Sequence, residues 1–480
     1  MTSNAPDTLT PEIRQVHADF SPHFADFIDQ TGLPEWNRAE DFRFLDKIGE
    51  MVRLRIQPWP TLVDPDKLRQ LDTLNIEVTR LIKSIPRRVF GDDSAALARF
   101  YGLDPEHARL VTAALGNQRW VDDALARSDL VDSPGGFRCI EVNVASNLGG
   151  WHCGMWGELL LAFEPMRRFL EDRKLSARVA DVTLRLMVYL LRRSVARFRT
   201  AEVNLAMLRV QEMEFTPSIV ETTNTAFEKV LASLGGKIRG SFHWILPEEL
   251  EVRDGKVYLG DLRIHALLDS IAGFLGIDVT RCWMQGEVDL YNGPMTPVLN
   301  DKRNLALAWE LAMAPGSPRL DAEERQLLER AIPWTHRVGG EPVLPGAEGA
   351  LPLGELVSRR HELVLKPSDG KGGDGVLVGA ETDEATWASA LERAFEEDRP
   401  WLVQTFAPSR EMLYFEGTPL PHSIVWSFFD FGGTAGGSFI RMSPSASAAG
   451  VVNAGLGASL GPVFEIGPAK PDGGNPSPGP

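Results

Sequence analysis

The sequence is poor in cysteine and has no long hydrophobic run, and each absence excludes a class of protein. Its three cysteines, Cys139, Cys153 and Cys282, are too few and too widely spaced for a disulfide framework or a zinc site. No run of about 18 or more apolar residues occurs, so the sequence predicts no transmembrane helix. The opening residues MTSNAPDTLTPEIRQ lack the basic and apolar segments of a secretory signal. We therefore expect a cytoplasmic protein.

Basic residues are fewer than acidic residues. The 480-residue chain carries 50 lysines and arginines against 66 aspartates and glutamates, which gives a formal net charge of −16. A surface of that sign repels nucleic acid and anionic membranes, so neither is expected as a partner. A local basic pocket for a nucleotide remains compatible with this charge. The chain is long enough for about two or three subdomains.

The stretch that carries most chemical information is residues 363–379, LVLKPSDGKGGDGVLVG. Two apolar runs enclose a turn and a loop rich in glycine, a pattern that predicts strand, loop, strand. Glycines let the backbone approach an anion closely, so that peptide N–H groups can point at phosphate oxygens. Lys366 at the end of the first strand and Lys371 in the loop supply positive charge for a polyphosphate. The stretch therefore indicates a nucleotide site.

Other glycine-rich motifs fit this loop less well. A P-loop requires GxxxxGK followed by serine or threonine at a helix start, and a dinucleotide fingerprint requires GxGxxG before a helix. Gly373-x-Gly375 lacks the third glycine and precedes a strand-like run. A protein kinase has its lysine after the glycine loop, whereas Lys366 precedes the loop. An ordinary glycine-rich hairpin remains the alternative.

A second candidate site lies in a predicted β-hairpin over residues 127–143, around the turn sequence DSPGG. Glu141 and Asn143 are two residues apart, so both project from one face of their strand. Asp129 on the partner strand can face them. Carboxylate and amide oxygens suit a Mg²⁺ ion that bridges nucleotide phosphates. A solvated polar strand face is the alternative.

Two further residues are candidates on local grounds. Lys302 lies at the start of an apolar helix, where the helix dipole favours anions and disfavours cations. It either serves a bound phosphate or is an ordinary exposed lysine. Gln404 ends a short apolar strand, WLVQ.

The rest of the chain predicts helices followed by an α/β organisation. Helical spacing covers residues 62–85 and 95–124, with Pro86 as punctuation between them. A further helix is predicted over residues 166–199, with a break near residue 175. Strands and helices then alternate, which is typical of an α/β layer.

Together these motifs resemble the ATP-grasp superfamily in its circularly permuted branch, and especially the synthetase domain of glutathionylspermidine synthetase. In that family a hairpin with R-x-D and then E-x-N precedes the part that grips the nucleotide. The matching positions are Arg127 with Asp129, Glu141 with Asn143, Asn292-Gly293-Pro294, Asp301 with Lys302, Lys366-Pro367 with the glycine loop, and Leu402-Val403-Gln404. The resemblance covers residues 120–460 in order, and no sequence like the amidase half of the bifunctional enzymes is present.

The resemblance implies an α/β (α+β) protein with a circularly permuted ATP-grasp fold and an N-terminal helical region. The expected organisation is an N-terminal helical region (1–120), a part with the metal-ligand hairpin and the substrate site (121–300), a nucleotide-gripping part (301–462), and a disordered Pro/Gly-rich tail (463–480).

It also implies ATP and Mg²⁺ as cofactors. The implied site residues are Asp129, Glu141 and Asn143 for Mg²⁺; Lys302 and Lys366 for the α- and β-phosphates; Gly370, Lys371, Gly372, Gly373 and Gly375 as a lid on the γ-phosphate; Gln404 at the hinge that meets adenine; and Arg127 for catalysis.

The implied activity is an ATP-dependent carboxylate–amine ligase that forms an amide bond through an acylphosphate. The expected partners are small-molecule or peptide carboxylates and amines. A non-catalytic nucleotide-binding scaffold with the same fold is the alternative, although pure binding would not need a full Mg²⁺ set. A kinase-like phosphotransferase would need an HRD-like loop, and the sequence has none.

Overall fold

The computed structural model describes twelve segments of the chain. They are residues 9–30, 54–117, 119–151, 153–154, 156–209, 217–269, 275–314, 319–345, 349, 351–370, 372–446 and 450–469. Lys371, which the sequence assigns to the lid, lies outside the described residues.

The described α-helices are numbered in chain order. They are α1 (Pro11–Phe20), α2 (Pro22–Gln30), α3 (Pro65–Phe90), α4 (Ser94–Tyr101), α5 (Pro105–Ala114), α6 (Arg119–Asp122), α7 (Cys153–Ala162), α8 (Glu164–Asp172), α9 (Val182–Phe198), α10 (Pro217–Ser233), α11 (Ile277–Met284), α12 (Thr296–Leu299), α13 (Arg303–Met313), α14 (Ala322–Ala331), α15 (Leu353–Ser358) and α16 (Glu384–Glu396). Among the described helices, none is both long and apolar enough to cross a membrane.

The described strands are numbered in the same way. They are β1 (Arg55–Ile56), β2 (Thr61–Val63), β3 (Leu125–Ser133), β4 (Gly136–Val144), β5 (Leu175–Val179), β6 (Leu205–Leu208), β7 (Phe242–Ile245), β8 (Leu250–Arg253), β9 (Lys256–Leu259), β10 (Leu262–Arg263), β11 (Ala266–Leu268), β12 (Asp289–Tyr291), β13 (Thr335–Val338), β14 (Leu363–Pro367), β15 (Leu377–Val378), β16 (Trp401–Thr405), β17 (Met412–Glu416), β18 (Thr418–Phe431), β19 (Thr434–Pro444) and β20 (Ser459–Pro468).

A nine-stranded sheet, called the large sheet below, forms the body of the molecule. Its main path is β1-β20-β19-β18-β3-β4; β17 pairs with β18, and β2 and β5 pair with β20. One face packs on helix α3, where Lys83 forms a buried ion pair of 2.9 Å with Asp430. Asn75 on the same helix accepts a hydrogen bond from Ser128. This face is closed, so the large sheet presents its other face to the rest of the molecule.

A four-stranded parallel sheet lies beyond that other face. Its order is β12-β11-β6-β7, and every pairing within it is parallel. Helix α10 connects β6 to β7, since parallel neighbours need a crossover connection. The α/β alternation predicted from the sequence is confirmed. Strands β8 to β10 form a separate antiparallel sheet.

A second four-stranded sheet, called the small sheet below, is antiparallel throughout, in the order β13-β16-β14-β15. Helices α15 and α16 cover one face of it. Leu356, Leu365, Trp387, Leu391 and Val403 are buried in a core of their own, separate from the main core. The predicted strand–loop–strand pattern of residues 363–379 is confirmed, because β14 and β15 pair on either side of the glycine loop.

Several sequence expectations about the elements need correction. Helix α3 runs through Pro86 to Phe90, so this proline is not a break; it lies in the last turns, where a missing N–H removes a single helix bond. The predicted helix over 166–199 is two helices, α8 and α9, separated by strand β5. Strand pairing overrides helical spacing there, because β5 lies against β20.

The two ends of the chain are also joined more closely than expected. Strands β1 and β2, within the predicted helical region 1–120, both pair with β20. Strand β20 extends to Pro468, so the disordered tail expected from residue 463 cannot begin there. Strand β20 is buried on both faces over most of its length, so Val463, Phe464 and Ile466 all lie in the main core, which the Pro/Gly content of the tail obscured.

Candidate functional site

A cleft lies between the large sheet and the small sheet. It encloses about 1030 Å³, counted to its open mouth. The predicted residues that line it are Asp129, Glu141, Lys302, Lys366, Gly370, Gly373 and Gln404. They come from positions almost 300 residues apart, so the fold brings most of the sequence-predicted site into one place.

Lys366 projects from strand β14 into this cleft and is 6% exposed. Its ammonium donates to the side-chain Oε1 of Gln404 at 2.8 Å and to the backbone oxygen of Ile140 at 2.9 Å. Burial lowers the pKa of Lys366 to about 8, with Glu141 opposing the shift and Lys302 adding to it. The ammonium is thus a desolvated cation with fixed orientation.

Gln404 lies on strand β16, beside β14. Its Oε1 accepts from Lys366, and its Nε2 donates to the hydroxyl of Thr335 at 2.9 Å. The amide therefore fixes the lysine head group on the floor of the cleft. Beyond it the wall becomes apolar, with Val131, Phe406, Val364, Val378 and Ile424.

The glycine loop forms the rim of the cleft. Gly372, Gly373 and Gly375 have φ angles of 65°, 80° and 71°, which favour glycine strongly. A Cβ on Gly373 would lie 3.3 Å from the side chains of Val451 and Leu456. A second glycine-rich stretch, residues 450–458, therefore packs against this loop. Gly370 and Gly373 line the cleft, together with the carboxylate-bearing Asp374.

Lys302 connects the glycine loop to the hairpin. It occupies the position just before helix α13, as predicted. Its ammonium donates to the backbone oxygen of Gly370 and forms an ion pair of 3.2 Å with Glu141. The lysine side chain is 12% exposed, so it is not the ordinary exposed lysine of the alternative interpretation.

The hairpin β3–β4 places the predicted metal ligands on one face of the large sheet. Asp129 lies opposite Glu141 in the register, and Arg127 lies opposite Asn143. The amide Nδ2 of Asn143 donates to Asp129 Oδ2 at 3.0 Å. The prediction that Glu141 and Asn143 share one strand face, with Asp129 on the partner strand facing them, is confirmed. Their chemical roles stay predictions.

Asp129 is the most heavily bonded of these groups. Arg127 Nε lies 3.0 Å from Oδ1, and Arg441 lies 2.8 Å from Oδ2. Ser427 donates to Oδ1 at 2.8 Å. Burial by itself raises the pKa of Asp129, but the charges of Arg127 and Arg441 outweigh it and hold the pKa well below its usual range. The two arginines therefore favour the ionised carboxylate.

These contacts decide how well the hairpin suits Mg²⁺. Five donors already occupy the two oxygens of Asp129, and a carboxylate offers about four lone-pair directions. Among the residues described, no group of three or more carboxylate, histidine or cysteine side chains forms a metal site. Glu141 and the Oδ1 of Asn143 do suit Mg²⁺, which commonly takes one or two protein ligands and completes its shell with phosphates and water. Asp129 fits the role of orienting Asn143 instead.

Arg127 lies one step further along strand β3, outside the lining of the cleft. Its guanidinium binds both oxygens of Asp129 and donates to the backbone oxygen of Gly149 at 2.9 Å. Its Cζ is 5.7 Å from the ring centroid of Phe439. Neither Gly149 nor Phe439 was among the residues predicted for the site.

Arg441 and Ser427 are site residues that the sequence reasoning missed. Arg441 lines the cleft, is 7% exposed and pairs with Asp129. A single charged residue in the apolar strand sequence SFIRMSP was the available signal. Ser427 gave no signal, because a serine within a strand is unremarkable until its partner is known.

Comparison with known proteins gives a fold and short sequence matches. No family model matches the sequence. The solved apo structure of a glutathione synthetase-like effector from Globodera pallida aligns over 86% of this chain and 90% of its own, with a TM-score of 0.50 and 12% identity. This chain has a glutathione synthetase-like fold. At that identity the likeness concerns the fold alone.

Sequence matches to this chain are local. An uncharacterized protein of Mycobacterium leprae, ML0605, is 38% identical over 50 residues, which are 10% of this chain and 9% of that protein. The uncharacterized proteins Mb2434c of Mycobacterium bovis and Rv2411c of Mycobacterium tuberculosis are 33% identical over 75 residues, 15% of this chain and 13% of theirs. The matches thus span less than a sixth of those relatives.

Proposed function

We propose that the chain is an ATP-dependent carboxylate–amine ligase of the circularly permuted ATP-grasp type. The carrying observation is the cleft itself, where Lys302, Lys366 and the glycine loop meet the polar face of hairpin β3–β4. The hairpin precedes the small sheet in the chain, which is the order that the sequence motifs resemble. The synthetase domain of glutathionylspermidine synthetase is the model for this proposal. The ligation screen described below tests which carboxylates and amines this chain accepts.

The cleft has the two halves that a nucleotide requires. Its apolar wall of Val131, Phe406 and Ile424 suits a purine base beside Gln404. Its cationic end, with Lys302 and Lys366, suits the phosphates, because both ammonium groups are fixed and shielded from water. Backbone N–H groups of the glycine loop would cover the terminal phosphate.

Glu141 and Asn143 would hold Mg²⁺ against the phosphates. When bound, the ion neutralises charge on the phosphate oxygens. Lys302 now pairs with Glu141, so binding would require Lys302 to move its contact from this carboxylate to a phosphate. Asp129 and its two arginines keep Asn143 in position throughout.

The reaction needs two displacements. A carboxylate oxygen of the substrate attacks the γ-phosphorus, and ADP leaves with the electrons of the broken P–O bond. The amine then attacks the acyl carbon of the acylphosphate, inorganic phosphate leaves, and the amine loses a proton. The protein contributes positioning and charge stabilisation, and no protein nucleophile is required. In this proposal Arg127 would stabilise the oxygens that gain charge.

The experiment is an ATP-dependent ligation screen over amino acids, peptides and polyamines, with products detected by mass. We expect ADP, phosphate and an amide in equal amounts for a productive pair. Glu141→Gln serves as the inactive control. Phosphate release without any amide, across every pair tested, would contradict the ligase assignment.

A non-catalytic nucleotide-binding scaffold is the second candidate. One observation favours it: the acidic groups are neutralised internally, Asp129 by two arginines and Glu141 by Lys302. Calorimetric titration with ATP separates the two candidates. Tight binding with no ADP formed in the whole screen supports the scaffold, and turnover excludes it.

A further inference from the structure

A second cavity lies on the opposite side of Arg127 from the nucleotide cleft. It encloses about 510 Å³ to its mouth, half the volume of the cleft. It lies between the large sheet, the parallel sheet and helix α9. Its described lining residues are Leu125, Ala145, Ser146, Leu148, Trp151, Thr183, Leu186, Met187, Met207, Thr223, Phe242, Trp244, Leu268, Phe429 and Phe431. We call it the apolar cavity.

The strand register places the apolar cavity on the same face of the large sheet as the proposed reaction centre. Alternate residues of β3 share one face, so Leu125 stands beside Arg127, and Arg127 stands beside Asp129. On the neighbouring strand β18, Phe429 lies opposite Arg127 and Phe431 lies opposite Leu125. The same sheet face therefore runs from the nucleotide cleft, past Asp129 and Arg127, into the apolar cavity.

Arg127 retains capacity for a further anion at this junction. A guanidinium has five N–H donors. Three of them are used in the described structure, two toward Asp129 and one toward the backbone oxygen of Gly149. A carboxylate that takes the remaining donors would lie beside Arg127, between Asp129 in the lining of the cleft and Leu125 in the lining of the apolar cavity.

The chemistry of the apolar cavity selects what can enter it. No charged side chain belongs to its described lining, and the polar side-chain groups there are the hydroxyls of Ser146, Thr183 and Thr223 and the indole N–H groups of Trp151 and Trp244. Ser146 already donates to the backbone oxygen of Tyr291 and to Asn292. A charged substrate side chain would lose its hydration without gaining an oppositely charged partner among the described lining residues, which is costly, whereas an apolar one gains from burial.

We propose that the acyl donor of this enzyme is a carboxylic acid with an apolar side chain, which occupies the apolar cavity while its carboxylate lies at Arg127. This inference rests on the proposed function, since it names the substrate class for that reaction. The proposal predicts that this chain does not use acyl donors with a charged side chain, as some other ligases do.

Calorimetric titration of the full chain, saturated with ADP, tests the binding directly. The ligands are acetate, butanoate, hexanoate and 3-phenylpropanoate, with succinate and glutarate as charged controls. We expect affinity to rise about fourfold for each added methylene, the ratio that corresponds to about 0.8 kcal/mol per buried CH₂. The two dicarboxylates should bind no better than acetate. An affinity that does not depend on chain length would overturn the proposal.

A matched pair of variants locates the site. Met207 is partly exposed and lines the apolar cavity, so Met207→Glu places a charge there at moderate cost to folding. Met284 is 42% exposed on helix α11, away from the cavity, and Met284→Glu is the control. We expect Met207→Glu to lose at least about tenfold in hexanoate affinity, with ADP affinity unchanged as the check of folding. Equal hexanoate affinity in the two variants would contradict the assignment.

The two proposals fail in different ways. Chain-length-dependent binding without amide formation in the ligation screen would remove the ligase function and leave the apolar cavity as a carboxylate site. Amide formation that is equally efficient with glycine, glutamate and phenylalanine as acyl donors would leave the ligase and overturn the apolar donor.

Discussion

Two lysines and one aspartate of the cleft differ in how much they contribute to ligand binding and how much to stability. Lys302 and Lys366 both face the cleft, yet their contacts differ: Lys366 bonds to Gln404 and a backbone oxygen, and Lys302 bonds to the loop and to Glu141. Asp129 lies between two arginines and is 1% exposed. Substitutions at these positions should therefore have separable effects on ligand binding and on stability.

Replacement of Lys366 by methionine should weaken ATP binding about 10- to 100-fold, because a charge-assisted bond to phosphate contributes roughly 1.5–3 kcal/mol. Stability should fall by less than about 2 kcal/mol, since the loss of two hydrogen bonds is partly offset by removal of a buried cation. Calorimetry and denaturant unfolding measure the two quantities. Lys229→Met, at an exposed lysine, is the control. Unchanged ATP affinity would make Lys366 purely structural.

Glu141→Gln and Asp129→Ala should affect different properties. Glu141 is 29% exposed, so its amide should fold normally and lose turnover. Asp129→Ala leaves Arg127 and Arg441 buried without their partner, and should cost about 3–5 kcal/mol of stability. Steady-state ADP release and chemical unfolding distinguish them, with Glu329→Gln as an exposed control. Full turnover in Glu141→Gln would exclude the metal role.

At the scale of elements, the glycine loop and helix α1 are attached in opposite ways. The loop has one internal backbone bond among its described residues, from Val376 to the oxygen of Gly373, and otherwise relies on Lys302. Helix α1 is fixed in the core by His17, whose Nε2 accepts from the backbone N–H of Leu413 at 2.9 Å. The loop should therefore respond to ligand, and the helix to pH.

Hydrogen exchange should report the response of the loop. ATP with Mg²⁺ should slow amide exchange at residues 372–376, because a γ-phosphate offers partners to N–H groups that the loop leaves free. ADP should protect these amides less, and helices α3 to α5 should change little. Identical exchange with and without ATP would place the loop outside the active site.

Acid should weaken the attachment of helix α1. Burial lowers the pKa of His17 to about 3. Between about pH 6.5 and 3, His17 is therefore protonated in the unfolded chain and neutral in the folded protein. The stability from neutral His17 is thus complete above pH 6.5 and is lost as pH falls toward 3. The free energy of unfolding should decrease more steeply over this window in the wild type than in His17→Gln. The exposed His361→Gln should keep the wild-type slope; parallel curves for all three proteins would contradict the account.

At the scale of the whole molecule, two hydrophobic cores flank one cleft. The small sheet and helices α15 and α16 enclose their own core, and the large sheet and parallel sheet share the other. A ligand between them would contact both bodies. Three cations of this acidic chain, Lys302, Lys366 and Arg441, line the cleft.

Calorimetric unfolding of the apo protein should therefore show two overlapping transitions. Because a nucleotide would bind both bodies in their folded form, ATP should raise the midpoint temperatures of the two transitions and bring them closer together. At about 100 times the dissociation constant, binding adds about 2.7 kcal/mol. Lys366→Met should keep the two transitions separate at the same ATP concentration. A single apo transition would show that the small sheet does not unfold on its own.

The sequence by itself determined the local parts of this protein. The hairpin β3–β4, the strand–loop–strand of residues 363–379 and the position of Lys302 before a helix follow from turn chemistry, glycine content and side-chain alternation. These depend on near neighbours in the chain. The sequence thereby placed Glu141 and Asn143 on one face, and Asp129 opposite them, before any fold was known.

Only the tertiary structure decided what those residues contact. Ser427 reaches Asp129 because β18 pairs with β3 across some 300 residues, and Arg441 reaches it from β19, the next strand beyond β18. No local pattern specifies this register. The same pairing turns Asp129 from an expected metal ligand into the centre of an arginine cluster. It also sets Phe429 and Phe431 beside Arg127 and so creates the apolar cavity. Long-range strand pairing fixes which side chains share a face, and the sequence alone does not carry that information in any one segment.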